Sequence, residues 1–125
     1  MSVTDLKVDE FVRFEPRKLA DLYRTMGEIG AENVLCDAME DLTIQLVRVE
    51  KLAKRDRLDS VHDVVMRIVP VAERIGLLGL ARVARDVAGC IEVGDKTALA
   101  ATLARLNRIG DKSLTAIWDP QNLSV

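Results

Sequence analysis

A chain of 125 residues has room for one domain with its own core, and 49% apolar residues against 3% aromatic is the composition of a helical protein. A net charge of −2 argues against a nucleic-acid partner, because phosphate-binding surfaces carry a cationic excess. No apolar run approaches the ~20 residues of a membrane span, and Met1–Leu6 lacks the basic and apolar regions of a signal peptide, so a cytoplasmic location without membrane contact is expected.

Residues 1–15 read as an arm with a short helical turn. Pro16 suits the first turn of a helix, where a missing N–H costs nothing. That helix carries Leu19, Leu22, Tyr23 and Met26 and stops at Gly27. A second helix starts near Ala31. Its apolar residues Leu35, Ala38, Met39, Leu42, Leu46, Val49 and Leu52 recur at three- and four-residue steps, and it ends in the charged run Lys54-Arg55-Asp56-Arg57. A third begins near Asp59, a residue suited to a cap or first turn. It presents Val61, Val64, Val65, Ile68, Val71, Ala72 and Ile75 to a core and closes at Gly76. Pro70 lies inside it, removes the bond to the Met66 carbonyl and predicts a kink. The fourth carries Leu77, Leu80, Ala81, Ala84, Val87, Ala88 and Ile91. Gly94-Asp95 then supplies a turn and an N-cap. The fifth runs through Leu99, Leu103, Leu106, Gly110, Leu114 and Ile117, and Pro120 stops it near Trp118.

No strand pattern is present, and the connections are short, so successive helices should be antiparallel neighbours. The expected fold is all-α: an up-down antiparallel four-helix bundle over residues 16–119 with a short N-terminal helix as a lid, an arm at 1–15 and a tail at 120–125. Cys36 and Cys90 fit neither a zinc nor a CxxC pattern and read as buried or half-buried free thiols. Gly89 and Gly110 cost helix stability, and close helix packing is the expected reason. Asp37, Glu40 and Asp41 read as a solvated polar face. Lys51, Lys54, Arg55, Arg57 and Arg74, Arg82, Arg85 read as solvated cations or a docking surface for an acidic partner. No phosphate loop, metal-ligand pattern or nucleophile elbow is found, so neither cofactor nor metal is expected.

Leu22-Tyr23-Arg24-Thr25-Met26-Gly27, the long helix Ala31 to Lys54, Gly76-Leu77-Leu78-Gly79-Leu80 and Ile91-Glu92-Val93-Gly94-Asp95 come in an order and spacing that resemble a histidine phosphotransfer (HPt) domain. The resemblance implies a lidded four-helix bundle that works in a phosphorelay. In that family the third main helix carries His-x-x-Lys-Gly, with another Gly ten residues after the His. Here the stretch is Met66-Arg67-Ile68-Val69-Pro70, and the later glycine is Gly76. The family's histidine is a nucleophile towards a receiver aspartyl phosphate. Its lysine steadies the anion, and its glycine lets the receiver approach. Met66, Val69 and Pro70 do none of these things.

The resemblance therefore implies a non-phosphorylatable interaction module, not an enzyme, that docks a receiver domain or a histidine kinase. His62, Met66, Val69, Pro70, Glu73 and Leu78 are its candidate partner-binding residues. The stripe His62, Met66, Val69, Glu73 should face away from the core, and adjacent exposed apolar residues often mark a protein contact or a homodimer face. His62, the one histidine in the chain, is the alternative phosphoacceptor, although no lysine stands three residues after it. A helical homo-oligomeric adaptor unrelated to phosphorelay is the remaining alternative.

Overall fold

The computed structural model describes residues 14–117, so most of the arm, Trp118 and the tail lie outside the described residues. The described residues form four helices: α1 (Pro16–Lys54), α2 (Leu58–Arg74), α3 (Leu78–Val93) and α4 (Lys96–Ala116). They form the expected up-down four-helix bundle. Among neighbouring helices, packing is closest between α2 and α3 and sparsest between α1 and α4.

α1 opens with Pro16 in its first turn, and the Glu15 side chain accepts the Arg17 N–H at 3.0 Å. Its backbone leaves helical geometry at Gly27, with φ 76° and ψ 174°. Only glycine enters that region freely, so the short N-terminal helix ends where the sequence indicates. The helix then resumes at once, and not near Ala31. Gly27 alone leaves helical geometry, so the break is one residue long, and Gly30 is carried in the helix despite its low propensity.

The lid is tied down at its start. The Glu15 N–H donates to the Gly76 carbonyl at 2.7 Å, and Phe14 forms an isolated bridge with Leu77. Leu19 is buried beneath it. Tyr23 sits half-buried on the same stretch, and its hydroxyl is pushed above the ordinary tyrosine range, first by burial and then by the charges of Glu32 and Glu28.

Each later boundary has a local cause. Asp56, at φ 56°, turns the chain between α1 and α2. Asp59 sits in the first turn of α2, where a carboxylate complements the helix dipole. Gly76, at φ 86°, and Gly94, at φ 73°, end α2 and α3 in the left-handed conformation. The Asp95 carboxylate accepts the Ala98 N–H at 3.0 Å and caps α4.

The core is a continuous aliphatic cluster. Leu35 and Leu42 of α1, Val61, Val65 and Ile68 of α2, Leu80 and Val87 of α3 and Leu106 and Ile109 of α4 are all buried in it. Gly110 is one expected point of close packing. A Cβ there would meet Leu46 Cδ1 at 2.8 Å, so Leu46 of α1 seats against the bare backbone of α4. Elsewhere the α1–α4 seam is open, and Leu46 and Leu114 line a groove bordered by Glu50 and Asp111.

Two expectations are corrected here. Cys36 is exposed, because it falls on the polar side of α1, opposite Leu35, Ala38 and Leu42. Cys90 is half-buried, as expected. Gly89 does not mark close packing, since a Cβ built on it meets nothing within 4 Å. Gly89→Ala should therefore stabilise the bundle by about 0.5–1 kcal/mol through helix propensity alone. A urea titration checks this, and an unchanged or lower midpoint would show that the notch is filled.

Candidate functional site on the α2–α3 face

α2 and α3 pack antiparallel about the turn at Gly76–Leu77, which places the start of α2 beside the end of α3. Two polar pairs bridge them. His62 Nε2 lies 2.7 Å from Glu92 Oε2 at one end, and the Arg85 guanidinium donates to the Glu73 carboxylate towards the other. Between these pairs the helix register sets Met66 level with Gly89. Met66 is 44% exposed and Leu78, at the start of α3, is 37% exposed. Pro70 is also exposed.

Five of the six candidate residues thus reach the surface to some degree: His62, Met66, Pro70, Glu73 and Leu78. Val69 does not. It is 7% exposed and belongs to the core cluster with Ile68 and Ala72, so its expected place on the outward stripe is corrected. α2 buries residues on both sides of its Val61–Val65–Ile68–Ala72 line, and Val69 falls on the inner flank. The surface line continues instead through Pro70. α2 stays helical across Pro70 as far as Arg74. A proline on the outer face takes its missing bond from the solvated side, where the Met66 carbonyl can turn to water.

His62 has a defined partner. It is about one-third exposed, and its Nε2 is engaged by a carboxylate. An imidazole that attacks phosphorus through Nε2 needs that nitrogen free, and through either nitrogen it needs a cation close by to receive the anion. Glu92 supplies the opposite charge. No basic residue shares the outer stripe of α2 between His62 and Glu73; Arg67, the one basic residue in that stretch, stands one position past Met66. No cluster of three or more potential metal ligands exists among the described residues.

Glu92, Arg85 and Gly89 belong to this face, and the linear pattern of α2 does not reveal them. Folding the sequence about Gly76–Leu77 would have found the first: His62 and Glu92 stand almost equally far from that turn.

No family model, no curated protein and no solved structure matches the chain.

Proposed function

We propose that this protein is an HPt-like docking module of a phosphorelay, binding a receiver domain through the α2–α3 face without itself carrying phosphate. The observation that carries the reading is paired: Met66 stands exposed at the family's acceptor position, and the Nε2 of the one histidine is committed to Glu92. The buried Val69 supports it, because the lysine position of the motif points into the core. The lid-plus-bundle order of helices supports it as well. Met66 and Pro70 are exposed apolar residues of α2 between the His62–Glu92 and Arg85–Glu73 pairs, and Leu78 is exposed beyond the second pair at the start of α3, an arrangement suited to a protein surface with an apolar centre and polar groups around it. A receiver is favoured over a histidine kinase because this is the face that a receiver approaches in the family it resembles.

Two measurements test the proposal. Phosphoramidate treatment followed by intact mass should leave the folded protein unlabelled. An acid-labile adduct on the wild type that His62→Ala removes would replace docking by active transfer. Titration against a panel of receiver domains and kinase cores should find a receiver whose affinity falls at least tenfold with Met66→Glu and stays within about threefold with His62→Ala. Absence of binding to every panel member would sink the reading.

A further inference from the structure

The outer face of α1 carries a charge pattern that is complementary to itself. Asp37, Glu40, Ile44, Arg48 and Lys51 are all exposed and recur at three- and four-residue steps, so they form one line along the helix. That line lies opposite Leu35, Ala38, Leu42 and Val49, which α1 buries in the bundle. Ile44 is 52% exposed, and Val47 beside it is 45% exposed.

The charges are sorted about Ile44, with acids before it and bases after it. Glu40 and Arg48 are equally far from Ile44, and so are Asp37 and Lys51. Within the monomer this order is unfavourable. Asp37 and Glu40 are like-charged neighbours one turn apart, as are Arg48 and Lys51. None of the four has an ion-pair partner among the described residues. The helix dipole favours Lys51, which falls in the last turn of α1, but it does not account for the other three charges, because its influence fades within the first and last turns. Asp37 and Glu40 lie well past the Gly27 break, and Arg48 lies more than a turn before the end of α1.

We propose that α1 pairs with α1 of a second copy of this chain, antiparallel, about a two-fold axis at Ile44. The axis sets Ile44 against Ile44, and each copy's Glu40 and Asp37 against the other's Arg48 and Lys51. Four opposed charge pairs then offset four repulsive neighbour pairs, and the exposed isoleucine is covered. An interface of this kind is isologous, since the same surface serves both partners. A single helix pair buries a small area, so the dimer is weak and salt-sensitive. The α2–α3 face lies on a different side of the bundle and stays open.

Sedimentation of the full chain under reducing conditions, which silence the exposed Cys36, tests the proposal. Over about 5–500 μM protein and low salt the wild type should self-associate, and high salt should weaken the association. Glu40→Arg and Arg48→Glu, each alone, should weaken it at least tenfold, because each creates two repulsive pairs across the axis. The double variant restores opposite charges in the swapped sense and should return association to within about threefold of wild type. Both positions are exposed, and circular dichroism confirms that each of the three variants is folded. A wild type that stays monomeric throughout, or a double variant no better than the singles, would overturn the pairing.

Discussion

Gly76→Ala should cost about 3 kcal/mol or more, a large share of the 5–15 kcal/mol that holds a domain of this size together. Two effects add. The φ of 86° places an L-residue in the left-handed region, which costs roughly 1–2 kcal/mol. A Cβ there would also press into the Glu15 carbonyl and against Lys18 Cβ. The first obstacle is backbone and cannot swing aside. Gly94→Ala is the matched control: its φ is 73°, yet a Cβ there meets nothing within 4 Å, so only the conformational cost of roughly 1–2 kcal/mol applies. Denaturant midpoints for the pair separate strain from collision. Equal losses would mean that the lid does not press on the α2–α3 turn.

Rebuilding the phosphotransfer motif should fail at Val69. Val69→Lys puts an ammonium where the side chain is 7% exposed, among Ile68, Ala72 and the apolar face of the bundle. Desolvating that charge without a partner should cost about 3 kcal/mol or more, even if the lysine stem bends towards solvent. Met66→His should cost less than about 1 kcal/mol, because Met66 is 44% exposed. Thermal unfolding of the two variants checks the contrast. A Val69→Lys protein as stable as wild type would put Val69 on the surface and reopen the motif for transfer.

What the sequence disclosed and what it hid follow one division. The helices were legible because their causes are local. Apolar residues at helical spacing in Val61-Val64-Val65-Ile68 mark a buried face, Gly27, Gly76 and Gly94 mark left-handed turns, and Asp95 is a short acceptor before a helix. The burial of Val69 is not legible in the sequence because α2 has apolar residues on both flanks of its stripe. Which flank is covered depends on how α1 and α3 lean against it, and nothing within the helix records that. The His62–Glu92 contact was hidden for a similar reason, since it joins two helices and leaves no periodic trace. Cys36 stands among apolar residues in the sequence yet faces solvent, because those neighbours lie around the helix from it.

The latch between Glu15 and Gly76 also bears on the order in which the molecule assembles. The hairpins α2–α3 and α3–α4 join neighbours in sequence through short turns, so closing them sacrifices little chain entropy. The latch must bring together two points separated by all of α1 and α2. It should therefore form after the hairpins, late on the folding path, and be absent from the transition state. Weakening it would then leave the refolding rate almost unchanged and appear as faster unfolding. The lid thus sets how long the folded state lasts more than how quickly it is reached.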